Sequence, residues 1–396
     1  MVSQAGLPRV LCVTGAYAPE MSAGGLQCRA VAAALKDRVD VAVLTTSTTA
    51  SLPSHDTVDG ISVSRVHVPF DSRWSAVSAL PSMVRELVRI LPGVDLVHVQ
   101  GYSAKNIVLT AMARLFRKPL LMHLQTSKHD EPATVRAQGV LAWWAFSNAD
   151  AYLSVSPGLS ARYLEAGLPS RKLREIPNGV DAVRFRPVSP AERQAVRRQL
   201  RLPEDRPIVL FVGVMMPDKQ PDVLFDAWLQ MRHATGIAST LVFVGATNPN
   251  LYELGDRLAE RVRAGAIASG VDADVVFAPP TARIEDYFRA ADVFAMPSAR
   301  EGLPIVLLEA MACGLPVIAS RLTGSTDTII GSGANGLLVP PGDAAALATG
   351  LAALLSKPDD ARCLGAAARQ TVAARYTIEH VAEQWLDAYH QLLATS

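Results

Sequence analysis

Two glutamates eight residues apart, Glu301 and Glu309, stand in the segment PSAREGLPIVLLEAMACGLPV (297–317). The segment reads as a strand ending at Pro297–Ser298, a loop through Glu301-Gly302-Leu303, and a helix whose first turn accommodates Pro304. A helix N-terminus at the carboxyl edge of a parallel sheet attracts anions, because its free N–H groups and its dipole favour phosphate. Gly302 lets the backbone approach a ligand closely. A carboxylate accepts two hydrogen bonds, so each glutamate could hold the vicinal hydroxyls of a sugar or a ribose. Taken alone, two glutamates at this spacing favour a plainer reading, Glu301 as a capping residue and Glu309 as an exposed helix position. Against that plainer reading, Glu309 is surrounded in sequence by Ile305, Val306, Leu307, Leu308, Ala310, Met311 and Ala312, which argues against an idle solvent face.

Two further segments offer chemistry. After the apolar run IVLFVGV (208–214) the loop MMPDKQ places Lys219 at a strand's carboxyl edge, just before a helix opening at Pro221. A lysine there can neutralise a phosphate, although a solvated surface position is the commoner fate of any single lysine. Near the N-terminus, Gly24-Gly25 follow the loop AYAPEMSA and precede a helix from Leu26, so main-chain amides could face a ligand; the pair is not a GxGxxG. Other signals are poor. Asp272-Ala273-Asp274 is formally a DxD, but it precedes its strand, at the wrong edge for a metal site. The eight histidines form no HxxxH or HxH pair, and no GxSxG is present.

The elements that must position these residues follow from hydropathy. Short apolar runs at 9–15, 40–46, 61–68, 95–101, 119–125 and 151–156, then at 208–214, 240–246, 274–280, 292–298 and 316–321, alternate with helix-length stretches such as 26–38, 81–91 and 104–116. Several runs are apolar throughout, as parallel strands covered on both faces should be. The pattern predicts an α/β protein with doubly wound parallel sheets. Eleven or so strands would overfill one twisted sheet, and the length of 396 residues suggests two domains. The turn-rich joint PNGVDAVRFRPVSP (177–190) separates them. We therefore expect an N-terminal Rossmann-like domain over 1–186, a C-terminal one over 187–375, and a tail helix over 376–396. That tail places Ile378, Val381, Trp385, Tyr389 and Leu392 at steps of three and four, so it must dock on something.

Composition narrows the function classes. The chain is 49% hydrophobic with 38 Lys+Arg against 37 Asp+Glu, a net charge of +1, which argues against a nucleic-acid partner. The most apolar stretch, 302–320, is interrupted by Glu309, Gly314 and Pro316, so no transmembrane segment is expected. The N-terminus reads as a strand rather than a signal peptide, and four scattered cysteines read as reduced thiols, so a cytoplasmic protein is expected. Trp74, Trp143 and Trp144 could offer sugar-stacking faces or lipid-facing anchors; the apolar helix 140–146 assigns the latter two to core packing. Peripheral contact with a membrane is left open, as is the oligomeric state.

With these residues in view, the chain resembles a GT-B-fold glycosyltransferase of the retaining group 4 family, over nearly its whole length. The E-x7-E element Glu301–Glu309 carries the resemblance furthest. IPNGVDAVRFRP (176–187) is similar to the family's linker, YAPEMSAGG to its glycine-rich first loop, and FVGVMMPDKQPDVLFDAW to its donor-phosphate strand and loop. The resemblance implies two Rossmann-like domains facing across a cleft, acceptor in the first and nucleotide-sugar in the second, with the tail helix crossing back to the first. It implies transfer from a UDP- or GDP-linked sugar to a hydroxyl acceptor (a sugar, glycolipid or small natural product), with retention and with no metal or other cofactor. By the same resemblance Glu301 contacts the donor sugar, Glu309 the ribose, Lys219 the diphosphate, the amides of Gly302 and Leu303 the sugar or diphosphate, and Gly24-Gly25 the cleft side of the donor. Lys219 and Glu301 are the expected catalytic residues, stabilising the charge of the departing diphosphate. Val214 stands where the family usually has Arg, and Gln125 where it often has His; Arg300 is a candidate replacement cation. Other classes weighed are a nucleotide-sugar epimerase or hydrolase of the same fold, a catalytically silent nucleotide-sugar-binding paralogue, and a nicotinamide-dependent enzyme. The lack of GxGxxG tells against the last of these.

Overall fold

The computed structural model describes residues 6–20, 22–68, 78–245 and 253–395. The chain divides into two compact units, one formed by Met1–Gly179 with Ile378–Ser396 and the other by Val180–Thr377. The division falls at Gly179, upstream of the boundary expected at 186. Trp74 lies outside the described residues.

The first unit is built on an eight-stranded sheet of order β3-β4-β2-β1-β5-β6-β7-β8. Its strands are β1 (Arg9–Thr14), β2 (Asp40–Ser47), β3 (His55–Val58), β4 (Ile61–His67), β5 (Leu96–Gln100), β6 (Leu120–Leu124), β7 (Ala151–Ser154) and β8 (Leu173–Glu175). All neighbours pair in parallel except β3 with β4. Both β2 and β5 flank β1, so the strand order reverses there; ligands of open α/β sheets bind outside the carboxyl ends at such a point. The tail helix Ile378–Ala394 belongs to this unit. It buries Val381, Trp385 and Tyr389 against Val10, Cys12, Cys28, Val31 and Leu121. Five apolar side chains at steps of three and four make one continuous stripe, which accounts for that docking.

The second unit carries a six-stranded, all-parallel sheet of order β11-β10-β9-β12-β13-β14. Its strands are β9 (Ile208–Val212), β10 (Thr240–Val244), β11 (Val275–Ala278), β12 (Val293–Met296), β13 (Val317–Ser320) and β14 (Leu337–Val339). The order reverses between β9 and β12, the strands that precede Lys219 and Glu301. Its core gathers Val209, Phe211, Leu224, Trp228, Phe243, Val293 and Leu351, all buried. Every central strand is apolar on both faces because helices cover both. Where the linker enters this unit, the N–H of Val180 donates to the carbonyl of Tyr376 at 2.8 Å.

Candidate functional site

Two loops at the carboxyl edge of the second sheet are fastened to each other. After β9 the chain makes a single 3-10 turn, Pro217–Lys219; after β12 it runs through Ala299, Arg300 and Glu301. The N–H of Ala299 donates to the carbonyl of Asp218 at 2.8 Å, Arg300 pairs with the Asp218 carboxylate, and Lys219 Nζ meets Glu301 Oε1 at 2.6 Å. The structure thus brings Lys219 and Glu301, 82 residues apart in sequence, into direct contact. Arg300, considered as a spare cation for the position of Val214, has its own carboxylate partner.

Behind these loops the helix Ile305–Ala312 begins, with Pro304 in the capping position and no side-chain cap. Gly302 and Leu303 are buried at its mouth. Ser298, fully buried at the end of β12, has a hydroxyl with no hydrogen-bond partner among the described residues, and the same holds for Gln220 Oε1. Gln220 sits in the left-handed region (φ 48°) between the Lys219 turn and the helix Pro221–Thr235. A non-glycine residue held there is strained, and such strain gathers at functional sites. Neither Ser298 nor Gln220 stood out in the sequence, where both read as punctuation between a strand and a helix.

Glu309 lies one turn into the helix, about 6 Å along its axis from Ile305. Its side chain keeps some solvent contact, yet enough protein surrounds the carboxyl that desolvation pushes its pKa up to about 8; Arg184 opposes that rise and Glu285 adds to it. Arg184 comes from the turn-rich joint. Its guanidinium bonds Glu285 at 2.7 Å and the carbonyl of Ala282 at 2.6 Å, and its own carbonyl accepts from Arg289 at 2.7 Å. Arg369 fixes the same joint by donating to the carbonyls of Ala182, Phe185 and Ala312. Arg184 and Glu285 are therefore site neighbours that the sequence did not single out. The one available signal was an arginine in a turn-rich segment, and segments of that kind rarely reveal where their charges point.

In the first unit, Gly24 and Gly25 open the helix Ala23–Ala34, capped by the hydroxyl of Ser22 accepting from the N–H of Gly25 at 3.1 Å. Space requires glycine at Gly25, whereas at Gly24 the nearest atom belongs to a movable side chain. A Cβ on Gly25 would lie 2.2 Å from the carbonyl oxygen of Ala16, and one on Gly24 would lie 2.7 Å from Gln125 Oε1. Gln125 donates to Gln100 Oε1 and lies 3.3 Å from His123 Nδ1; Gln100 Nε2 lies 3.2 Å from His98 Nε2, and His98 Nδ1 lies 2.8 Å from the Tyr389 hydroxyl. These residues form one buried polar chain that runs from the glycine pair to the tail helix. Trp385 packs edge-on to both histidine rings, with centroids 4.5 and 5.2 Å away. Burial drives both imidazoles below their ordinary pKa, His123 to about 3, so both are neutral at pH 7.

The DxD carboxylate Asp274 is bridged by Arg206 and Arg232, each at 2.8 Å. No helix of the described residues is long and apolar enough to cross a membrane.

Comparison with known proteins places this geometry. Residues 25–184 match the family model described as Glycosyltransferase Family 4, and residues 192–371 match Glycosyl transferases group 1. The chain is 36% identical over 230 residues to a D-inositol 3-phosphate glycosyltransferase of Nocardia farcinica, covering 57% of this chain and 49% of the relative. The chain thus spans about half the length of the curated relatives it matches. A sucrose-phosphate synthase from Thermosynechococcus elongatus superposes with a TM-score of 0.81 at 25% identity, covering 98% of this chain and all of that one. Anabaena Alr3699/HepE, solved in complex with UDP and glucose, gives 0.79 at 20% identity over 96% of this chain and 99% of its own. With each unit matched by a model of that family and the fold shared along the chain, this protein belongs to the group 1, family 4 glycosyltransferases, of GT-B architecture.

Proposed function

We propose that the protein is a retaining glycosyltransferase that moves a sugar from a UDP- or GDP-linked donor to a hydroxyl acceptor. The observation that carries the reading is the Lys219–Glu301 pair at the point of strand reversal, in front of the N-terminus of the helix that holds Glu309. In this reading Lys219 and the amides of Gly302 and Leu303 take the diphosphate, Glu301 the sugar hydroxyls and Glu309 the ribose. The hydroxyl of Ser298 and Gln220 Oε1 supply further polar contacts. As the bond from the anomeric carbon to the phosphate oxygen breaks, negative charge grows on the diphosphate; a lysine and a helix N-terminus already in place stabilise it without reorganising. The leaving phosphate then receives the acceptor's proton while the acceptor attacks from the same face. No metal takes part in this scheme, and the Arg206 and Arg232 pairs occupy Asp274 of the DxD segment.

The relatives' names support the reaction class, and the HepE complex supports a nucleotide-sugar in this fold. The first unit takes the acceptor, and the protein works in the cytoplasm. The test is a calorimetric panel of nucleoside diphosphates and nucleotide-sugars, run with and without EDTA. Specific binding of one base, undiminished by EDTA and followed by transfer, is the expected result. Binding without transfer to any acceptor would favour the silent-paralogue reading, and rapid donor turnover without acceptor would favour an epimerase or hydrolase.

A further inference from the structure

The helix Val140–Ser147 has no polar residue before Ser147, and its apolar character runs all the way round. A helix of that kind is expected to be buried on every side. Only one side is. Ala142, Ala145 and Phe146 face the core, whereas Val140 is 83% exposed, Leu141 66% and Trp144 37%. The expectation that Trp144 packs in the core is therefore corrected: Trp143 is half-buried, and Trp144 leaves more than a third of its surface in solvent.

The patch has a definite place in the fold. The helix follows β6, and the hydroxyl of Tyr102, just beyond the end of β5, donates to the carbonyl of Ala142 at 3.1 Å. The exposed residues thus sit toward the carboxyl edge of the first sheet, the edge that takes ligands in such folds. Gly139, at φ 113° with open space where a side chain would be, turns the chain sharply into this helix and sets Val140 and Leu141 at its tip.

The surroundings are basic. Arg136 lies over the Trp143 ring at 4.2 Å and makes no ion pair with any described carboxylate. Lys128 is exposed on the loop before it. The acid beside that loop, Asp130, is buried and accepts from the backbone N–H groups of Tyr102, Gln125 and Thr126. Glu131, the next residue, is half-buried at the start of the following helix, so the two exposed cations Lys128 and Arg136 stand against one partly exposed carboxylate.

We propose that this tip, Val140, Leu141 and Trp144 flanked by Arg136 and Lys128, seats the protein on an anionic bilayer surface. Apolar and aromatic side chains enter the interfacial layer while the cations meet lipid phosphates, the arrangement used by proteins that lie on membranes without crossing them. The area decides between a bilayer and a second copy of the chain. Three side chains at these exposures present a few hundred Å², well short of the roughly 800 Å² per partner that a stable dimer buries. An acidic lipid surface also complements cations that lack carboxylate partners, whereas a copy of the same patch would repel them.

The test is co-sedimentation of the full chain with phosphatidylcholine vesicles, with and without phosphatidylglycerol, and it needs no enzymatic activity. The expected result is binding to the anionic vesicles alone, weakened by 0.5 M salt. The pair Lys128→Gln and Arg136→Gln should lower partitioning roughly thirtyfold, from about tenfold per 1.4 kcal/mol and about 1 kcal/mol per basic residue. Val140→Ser with Leu141→Ser should abolish it, and unchanged thermal melts of these surface variants would show that the fold is intact. Wild-type protein left in the supernatant, or binding indifferent to these substitutions, overturns the proposal. So does a wild-type dimer by analytical ultracentrifugation that the serine variant splits without any vesicle binding.

Discussion

If Glu309 holds the ribose hydroxyls as a carboxylate, donor binding must take a proton from it. Its pKa of about 8 in the unliganded protein means that roughly one molecule in eleven is ionised at pH 7. The cause is desolvation among the apolar residues of its helix, opposed by Arg184 and reinforced by Glu285. Apparent affinity for a nucleotide-diphospho-sugar should therefore climb roughly fiftyfold from pH 6 to pH 8 and level off above that, one pKa unit being about 1.4 kcal/mol. The sugar-linked diphosphate keeps its charge across this range, so the slope reports on the protein. Calorimetry at pH 7 in two buffers of different ionisation enthalpy should count close to one proton released per donor bound. Glu309→Gln cannot ionise: its binding should be flat with pH, close to wild type at pH 6 and weaker by ten- to a hundredfold at pH 9, where charge-assisted hydrogen bonds worth about 1.5–3 kcal/mol are lost. The same substitution should stabilise the unliganded fold at high pH. The native state keeps this proton up to about pH 8 while the unfolded chain releases it near 4.5, so this group subtracts stability as pH rises through that window. Discounted for its partial solvent contact, the effect is about 2–3 kcal/mol. A wild-type affinity that is level from pH 6 to pH 8, with no proton released, would refute the reasoning.

Other expectations are more direct. Lys219→Ala should weaken nucleoside-diphosphate binding ten- to a hundredfold, whereas Glu301→Ala should mainly lower turnover; unchanged UDP and GDP affinity in the lysine variant would remove it from the site. Gly25→Ala forces a Cβ to 2.2 Å from a backbone carbonyl and should cost about 1–3 kcal/mol. Gly24→Ala meets only the movable Gln125 amide and should melt near wild type, so equal melting temperatures for the two would show that the clash is relieved elsewhere. Two fully buried neutral histidines give the unfolded chain the higher proton affinity below pH 6.5. Stability should then fall as pH drops from 6.5 toward 4, with a slope approaching two protons, and a pH-flat urea midpoint over that range would contradict the buried assignment.

The strands that sequence patterning located are the apolar ones, all but β11 flanked on both sides by other strands. Those it passed over, β3, β8 and β14, are edge strands of three or four residues; HDTV and LRE carry too little apolar character to register as strands. Glu309 was legible because an acid amid seven apolar neighbours breaks a pattern. Arg184 and Glu285 break none, and their proximity to Glu309 follows from the path of the joint that Arg289 and Arg369 hold. Gln125 was legible only as a departure from a family pattern. In the fold His98 and Gln100 share one face of β5 by strand parity, Gln100 pairs in register with His123, and Gln125 continues the face of His123, so the four side chains form one cluster whose histidines meet the tail helix. That coincidence depends on which strands are neighbours, which no local pattern encodes.

The charge arrangement of the second unit has a consequence for binding. Lys219 is matched by Glu301, Arg300 by Asp218 and Arg184 by Glu285, and Val214 adds no cation. A cluster with no net charge exerts little long-range pull on a diphosphate, so affinity must come from contacts made at close range and should depend only weakly on salt. Lys219 can turn to a phosphate only by loosening its hold on Glu301, and the Glu301 carboxylate, 11% exposed, then loses one charged hydrogen bond. The hydroxyls of a donor sugar can replace that bond; a bare nucleoside diphosphate cannot. In the proposed reading the ion pair links the two halves of the donor, and the intact nucleotide-sugar should bind more tightly than its diphosphate product by about 1.5–3 kcal/mol, the worth of a hydrogen bond to a charged group. Glu301→Ala should erase that preference. If product and donor bind equally to the wild type, Lys219 and Glu301 act independently and the pair is only a resting contact.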